Sequence, residues 1–174
     1  MLFMRSIVTF KNLLTTTSLV FLLSTACAQM TFDEKMNSLY SHTVPLIQSE
    51  EIKNKLTEKN LYILDIRSPK EYEVSHLAGA RLVDYDSFDV SLVSDIPKDA
   101  EVIVYCSVGY RSEKVGEKLL KEGFTHVKNL YGGIFDWKNQ RNVVINENNQ
   151  PTDSVHTYNE NWSQWLYKGI KVYE

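Results

Sequence analysis

Short apolar runs alternate with polar stretches through the middle of the chain. The strand-like runs lie at 44–47, 61–66, 80–85, 102–105 and 127–131. Their length and their polar flanks are typical of buried β-strands. Pro45 indicates that the first run is an edge strand, because proline cannot donate to a sheet ladder.

Helix signals follow most of these runs. Ser68-Pro69-Lys70-Glu71 has the form of a capping box with proline at the first helical position. Gly123 marks the end of a helix predicted from about Ser112 to Glu122. Shorter helices are predicted at three other places, which begin near Ser49, Phe88 and Ile134. Strands that alternate with helices predict an α/β fold, with a mostly parallel sheet and helices on both faces.

The two ends of the chain differ from this middle part. Residues 29–43 are polar with a weak helical pattern, which predicts a mobile N-terminal lead-in. Residues 141–174 begin with a turn-rich polar stretch and then carry many aromatic residues. Such a density of aromatics predicts an extension that packs back on the domain at 44–140, and a partner-binding surface is the other interpretation.

Residues 1–28 have the features of an export signal. They contain Arg5 and Lys11 but no acidic residue, and an apolar stretch is followed by small residues. Two processing sites overlap there. Ala26-Cys27-Ala28 predicts cleavage before Gln29, whereas the sequence 23–27 resembles a lipoprotein box in which Cys27 is lipidated. Either outcome predicts an exported, periplasmic protein that touches a membrane only through a lipid anchor at Cys27.

Charge and cysteine usage narrow the classes of function. The chain has 19 basic and 22 acidic residues, and removal of residues 1–28 takes away two of the basic ones, so that the net charge becomes −5. This balance disfavours nucleic acid as a partner. The domain keeps Cys106 as its one cysteine, so no disulfide is expected within it. The four histidines show no metal-ligand spacing, and neither a metal nor a cofactor is predicted.

Cys106 is the candidate nucleophile. It follows the apolar run 102–105, and a short loop containing Gly109 leads from it into the predicted helix. Such a turn directs backbone N–H groups and the positive end of a helix at the sulfur, which stabilises a thiolate or a bound anion. Arg111 adds a cation to the loop. The alternative is an inert buried cysteine.

Four motifs in order resemble the single-domain rhodanese family, from about Val44 to Trp137. They are Asp65-Ile66-Arg67-Ser68-Pro69-Lys70-Glu71-Tyr72, His76-Leu77-Ala78-Gly79-Ala80, Cys106-Ser107-Val108-Gly109-Tyr110-Arg111-Ser112, and Gly132-Gly133-Ile134 with Trp137. The family usually has glycine where this chain has Ser75. The resemblance implies a five-stranded parallel core and a sulfurtransferase that holds a sulfane sulfur on Cys106 as a persulfide.

The resemblance also implies roles for the residues around Cys106. The donor is thiosulfate or a persulfide, and the acceptor is cyanide or a thiol of a small molecule or protein. The N–H groups of the loop are expected to hold the transferred sulfur or the leaving sulfite; the loop consists of Ser107, Val108, Gly109, Tyr110, Arg111 and Ser112. Arg111 either orients the anion or pairs with an acid such as Asp65. Asp65 and Arg67 are supporting residues, and Arg67 has the spacing to pair with Glu71.

Two other functions fit a cysteine loop of this kind. A sulfur carrier or redox sensor would use Cys106 without turnover. Cysteine-dependent phosphatases and arsenate reductases with a similar fold have five residues between the cysteine and the arginine, whereas this chain has four, Ser107 to Tyr110. The shorter loop favours a single sulfur atom over a tetrahedral phosphate.

Overall fold

A five-stranded parallel sheet lies at the centre of the protein. The computed structural model describes residues 30–173. Its strands are β1 Leu46–Ile47, β2 Leu61–Asp65, β3 Arg81–Leu82, β4 Glu101–Tyr105 and β5 His126–Leu130. They are arranged in the order β1-β5-β4-β2-β3, and every neighbouring pair is parallel. The predicted parallel sheet, with the run after Pro45 at its edge, is confirmed.

Side chains alternate between two hydrophobic cores, one on each face of the sheet. In β4, Ile103 and Tyr105 belong to one core, whereas Val102 and Val104 belong to the other. Cys106 continues this alternation and packs with Val104. Burial on both faces explains why the central strands are continuous apolar runs in the sequence.

Within residues 30–173, six α-helices accompany the sheet. They are α1 Phe32–Leu39, α2 Ser49–Ile52, α3 Pro69–Val74, α4 Tyr110–Lys121, α5 Gly133–Asn139 and α6 Glu160–Ser163. In α3, the Ser68 hydroxyl accepts from the Glu71 N–H while the Glu71 carboxylate accepts from the Ser68 N–H, so the predicted capping box is formed.

The segment predicted as a mobile lead-in is instead an ordered helix, and that prediction is wrong. A second capping box, between Thr31 and Glu34, begins α1. Met36 and Tyr40 are buried in the core that contains Trp137. A helix of eight residues is marginal alone. The burial of these two side chains supplies the stabilisation that the polar sequence did not reveal.

The predicted strand at 80–85 is shorter than expected. It pairs with β2 only at Arg81 and Leu82, and the chain then leaves the sheet. β3 is an edge strand, so no second neighbour extends the pairing. The weak helix predicted near Phe88 is a 3₁₀ helix at Val90–Val93.

The chain after residue 140 forms two small two-stranded sheets around α6. An antiparallel pair joins β6, Val144–Ile145, to β7, Pro151–Thr152. A parallel pair joins β8, Ser154–His156, to β9, Ile170–Val172. Val155 and Leu166 are buried in the same core as Trp137. The predicted export signal and Cys27 lie outside the described residues, and none of the described helices is long and apolar enough to cross a membrane.

Candidate active site

Cys106 lies directly after β4, at the carboxyl end of the sheet, where ligands bind in open parallel sheets. Its side chain is 1% exposed and contributes to the wall of a cavity of about 420 Å³. The Gly109 N–H donates to the sulfur over 3.1 Å. Gly109 has φ +96°, in the left-handed region that favours glycine, and this turn brings its N–H back toward Cys106.

The loop leads into α4, which begins at Tyr110, two residues earlier than predicted. In the described part of the chain, no protein group accepts from the N–H groups of Ser107, Val108, Tyr110, Arg111 and Ser112. Four of these residues, Ser107, Val108, Tyr110 and Arg111, also line the cavity, where unpaired backbone donors can bind an anion. Among the N–H groups of residues 107–112, the Gly109 N–H is the one that donates to the sulfur of Cys106.

Two side chains that the sequence analysis did not single out fix the loop. The Tyr40 hydroxyl donates to the carbonyl of Val108 over 2.7 Å and accepts from the Gly132 N–H over 2.9 Å. Asn129 donates to the carbonyl of Gly109 over 2.9 Å and is buried in β5. Asn129 had a detectable signal, because an amide within an otherwise buried strand needs a partner. Tyr40 had no such signal, since its hydrogen bonds to Val108 and Gly132 join segments that are distant in the sequence.

The start of α5 closes the loop from the other side. The N–H groups of Ile134 and Phe135 donate to the carbonyls of Cys106 and Ser107, over 2.9 and 3.1 Å. This approach requires glycine at position 133. A Cβ atom there would lie 2.2 Å from the carbonyl oxygen of Cys106, and the backbone has φ +54°. The Gly132-Gly133 motif thus positions the backbone of the cysteine loop.

Replacing Gly133 with alanine is expected to displace the loop and lower the free energy of unfolding. Gly123→Ala is the matched control, because Gly123 also has positive φ, at +90°, but a Cβ there would meet nothing within 4 Å. Overpacking adds about 1–3 kcal/mol to the backbone strain that the two variants share. Urea unfolding measures the difference. Equal destabilisation of the two variants would contradict the close approach.

Glu71 connects α3 to the cysteine loop. Both nitrogens at the end of Arg111 donate to its carboxylate, over 2.9 and 2.7 Å, and the Ser107 hydroxyl donates over 2.9 Å. Glu71 is also the capping residue of α3. Of the two roles considered for Arg111, the structure shows the pairing role, but the acid is Glu71 and not Asp65. The Glu71 oxygen that accepts from the Ser68 N–H in the capping box also accepts from Arg111.

The pKa of Glu71 reflects this network. Burial alone would raise the pKa, but the hydrogen bonds and the positive charge of Arg111, together with the charge of Arg67, lower it to about 2. For Arg111, burial alone would lower the pKa, yet the hydrogen bonds to Glu71 and the electrostatic interactions with Cys106 and Glu71 raise it. Glu71 is therefore ionised and Arg111 protonated throughout the neutral range.

Stability is expected to fall in acid because of Glu71. Its pKa is about 2 when folded and 4.5 ordinarily, so its contribution is fully present above about pH 5 and is lost as the pH falls through 4.5 toward 2. The difference corresponds to about 3 kcal/mol. Urea unfolding from pH 7 to pH 2, in the wild type and in Glu71→Gln, isolates this contribution. Parallel curves for the two proteins would contradict it.

Asp65 and Arg67 form a separate buried pair beneath the site. The Arg67 side chain donates to the Asp65 carboxylate over 2.9 and 2.6 Å, and both are fully buried. The Tyr105 hydroxyl donates to the same carboxylate over 2.6 Å. The pair of Arg67 with Glu71 that the spacing allows is not formed. The guanidinium pairs instead with Asp65, which ends β2 two residues earlier in the chain. Arg67 also donates to the carbonyl of Ser75 over 2.6 Å, so this pair ties loops together.

The cavity over Cys106 has an aromatic rim. Its walls include Tyr110 and Arg111 from α4, and the further lining residues are Leu39, Tyr85, Asp86, Cys106, Ser107, Val108, Tyr158 and Trp162. The Arg111 guanidinium lies 5.8 Å from the centre of the Tyr158 ring. Among residues 30–173, no group of three or more His, Cys, Asp or Glu side chains is arranged to hold a metal ion.

Comparison with known proteins identifies related sequences and folds. A family model described as a rhodanese-like domain matches residues 48–140, more than half of the chain. The curated tRNA uridine(34) hydroxylase of Hamiltonella defensa is 30% identical over 110 residues, which cover 60% of this chain and 30% of that protein. The one from Streptococcus pneumoniae strain Hungary19A-6 is 32% identical over 113 residues, covering 59% and 33%. The chain thus spans about a third of the length of these relatives.

A solved structure agrees with the family match. The rhodanese-like domain of an Anabaena protein, determined by solution NMR, superposes with a TM-score of 0.54 at 25% identity, over 59% of this chain and 79% of that one.

Proposed function

The chain belongs to the rhodanese-like family, and on that premise we propose that it is a sulfurtransferase with Cys106 as its nucleophile. The supporting observation is the position of the sulfur. It lines a cavity at the carboxyl end of the sheet, and the Gly109 N–H donates to it over 3.1 Å. A charge-assisted hydrogen bond of this kind favours the thiolate, which is the nucleophilic form.

The proposed reaction has two steps. The Cys106 thiolate attacks the outer sulfur of the donor; with thiosulfate, a new S–S bond forms at Cys106, the donor S–S bond breaks, and its electron pair leaves with sulfite. A thiolate or cyanide acceptor then attacks the outer sulfur of the persulfide and regenerates the Cys106 thiolate. This is covalent catalysis, for which ping-pong kinetics are expected. The unpaired N–H groups of the loop support the charge on the outer sulfur.

The Glu71 pair gives Arg111 a positioning role in this scheme. Two hydrogen bonds to Glu71 and one to the Ser107 hydroxyl use the forked end of the guanidinium. Arg111 therefore rigidifies the loop, and the backbone N–H groups are the main donors to the transferred sulfur. Asp65 and Arg67 are linked to the end of β4 through the Tyr105 hydroxyl and do not line the cavity.

We further propose that the protein is exported. The support lies in residues 1–28, where Arg5 and Lys11 precede an apolar stretch and the small residues around Cys27. A periplasmic protein that keeps a free thiol needs that thiol to react for a purpose, which agrees with sulfur transfer.

The name of the curated relatives introduces RNA as a substrate, which the sequence analysis disfavoured. We do not transfer that substrate, because the match spans about a third of the relatives' length. Acidic residues also outnumber basic ones, 22 to 19, whereas nucleic-acid binding depends on phosphate neutralisation by Lys and Arg. A gel-shift titration with bulk tRNA at low salt tests this directly. Binding to tRNA that weakens as the salt concentration increases would overturn our exclusion of RNA as a substrate.

Intact mass spectrometry after treatment with a sulfane-sulfur donor is the direct test of the function. The expected result is a gain of one sulfur atom at Cys106, which is lost again when cyanide is added and thiocyanate forms. The same spectrum shows whether the mature chain begins at Gln29 or at a lipidated Cys27. Parallel incubation with p-nitrophenyl phosphate tests the phosphatase alternative. Hydrolysis of that ester without any sulfur gain would overturn the proposal.

A further inference from the structure

The cavity over Cys106 is completed by parts of the chain outside the family domain. Leu39 comes from α1, and Tyr158 and Trp162 come from the C-terminal extension, whereas the family model matches residues 48–140. We propose that this wall selects a donor whose sulfane sulfur is attached to an apolar organic group, in preference to inorganic thiosulfate. This inference rests on the proposed sulfurtransferase function and specifies its substrate class.

The charges around the cavity do not favour a dianion. Arg111 is the one positively charged side chain among the described residues that line it, and its guanidinium is paired with Glu71 over 2.7 Å. Asp86 adds a carboxylate to the wall. Because the single cation is already neutralised, a donor with two negative charges gains little attraction and meets the repulsion of Asp86.

The apolar surfaces of the wall favour an organic group. Tyr110 and Tyr158 are 46% and 58% exposed, so their rings present apolar area that the protein itself leaves uncovered. Aromatic rings bury a large area at low conformational cost when a ligand packs on them. The cavity volume of about 420 Å³ is in the range of about 300–1,000 Å³ for sites that bind small organic ligands.

The two rings from the extension are held by local structure. Tyr158 has φ +66°, which is uncommon for a tyrosine, and its N–H donates to Nδ1 of His156 over 3.1 Å. Trp162 belongs to α6, and its backbone N–H donates to the side-chain oxygen of Asn159 over 3.1 Å. The Lys35 ammonium lies 5.3 Å from the centre of the Trp162 ring. This contact joins α1 to α6, the two helices outside the family domain that supply Leu39 and Trp162 to the wall.

Thiosulfonates provide a matched series of donors. In RSO₂S⁻ the Cys106 thiolate attacks the outer sulfur, an S–S bond forms at Cys106, and the donor S–S bond breaks so that its electron pair leaves with the sulfinate RSO₂⁻. Methanethiosulfonate and benzenethiosulfonate have the same charge and differ in apolar area. Thiosulfate carries one more negative charge. The series thus separates the contribution of charge from that of apolar contact.

The test measures kcat/KM for the three donors with cyanide as acceptor, in the wild type and in Tyr158→Ala, Trp162→Ala and the double variant. The expected result is a fall in the benzene-to-methane ratio of roughly threefold to tenfold for each single variant, and a larger fall for the double variant. Comparing ratios between proteins removes the intrinsic reactivity of the donors. Asp86→Asn is expected to raise the thiosulfate-to-methane ratio by roughly twofold to fivefold at low salt.

Tyr167→Ala is the matched control, because Tyr167 is an exposed aromatic of the same extension that does not line the cavity. Its donor ratio is expected to equal that of the wild type. Tyr158→Gly is a second variant that removes the ring and suits the positive φ at this position, so it keeps the fold if Tyr158→Ala does not.

The outcomes separate the two proposals. If all donors are used and the wild type has the same benzene-to-methane ratio as the double variant, the aromatic wall is not a specificity element and this inference is overturned, while sulfur transfer stands. A ratio that falls equally in Tyr167→Ala also overturns it. If none of the three donors places a sulfur on Cys106, the proposed function and this inference fail together.

Discussion

Replacing Cys106 with serine is expected to abolish sulfur transfer. The step needs a thiolate that forms an S–S bond with the donor, and a hydroxyl cannot store sulfur in this way. Removal of a covalent nucleophile lowers turnover by on the order of a thousandfold or more. Thiocyanate formation measures the activity, and intact mass spectrometry is expected to show no added sulfur on the variant.

The same variant is expected to keep its fold. Serine has nearly the shape of cysteine, and its oxygen still accepts from the Gly109 N–H, which donates to the sulfur in the wild type. Circular dichroism and Tm check this against the wild type. Substantial turnover by Cys106→Ser, or a sulfur gain on another residue, would contradict the assignment of Cys106.

Replacing Glu71 with glutamine is expected to lower the free energy of unfolding substantially. The change leaves the guanidinium of Arg111 without a charge partner in a site where Glu71 is 2% and Arg111 21% exposed. Breaking such a buried pair from one side costs about 3 kcal/mol. The amide also replaces a carboxylate oxygen that accepts from the capping N–H of α3. Urea unfolding at pH 7 measures this loss.

Asp95→Asn is the matched control for Glu71→Gln. Arg81 also donates twice to Asp95, over 2.8 and 2.6 Å, but the two side chains are 42% and 60% exposed. Water replaces an exposed partner readily, so little change in Tm is expected from this variant. Equal effects of Asp95→Asn and Glu71→Gln would show that burial does not govern the Glu71 network.

Activity gives a second readout for Glu71. In Glu71→Gln, one of the two oxygens that accept from Arg111 and the Ser107 hydroxyl becomes an NH₂ donor and the negative charge is lost. Both groups are then held less firmly, so we expect a lower kcat with the fold retained. Glu71→Asp keeps the charge but shortens the reach, and partial recovery of stability relative to Glu71→Gln is expected. Full sulfur transfer by Glu71→Gln would contradict the positioning role.

The chemical character of the loop was readable from the sequence. Cys106 ends an apolar run, which places the thiol at the carboxyl end of a parallel sheet. Gly109 and the helix that follows indicate a turn whose backbone N–H groups lie near that thiol. The capping signal Ser68 to Glu71 was also readable, since it depends on contacts between residues three apart. Contacts between residues this close in the chain can be predicted without knowledge of the fold.

The choice of partners was not readable. Arg111 pairs with Glu71, 40 residues away, and Arg67 pairs with Asp65, although the spacing rule for helices suggested Arg67 with Glu71. Tyr40 illustrates the same difficulty, because its polar surroundings in the sequence predicted a mobile segment. Its hydroxyl gains two buried hydrogen bonds only once the cysteine loop and Gly132 are in place.

The sequence by itself determined the parallel sheet, the position of Cys106 at the carboxyl end of a strand, and the family. These follow from the pattern of apolar runs and from motifs of neighbouring residues. The tertiary structure alone decided which carboxylate holds Arg111, that α1 is ordered, and that Tyr158 and Trp162 line the cavity. Each of these depends on long-range contacts whose free energy is gained only when distant segments are brought together, and no local pattern records that gain.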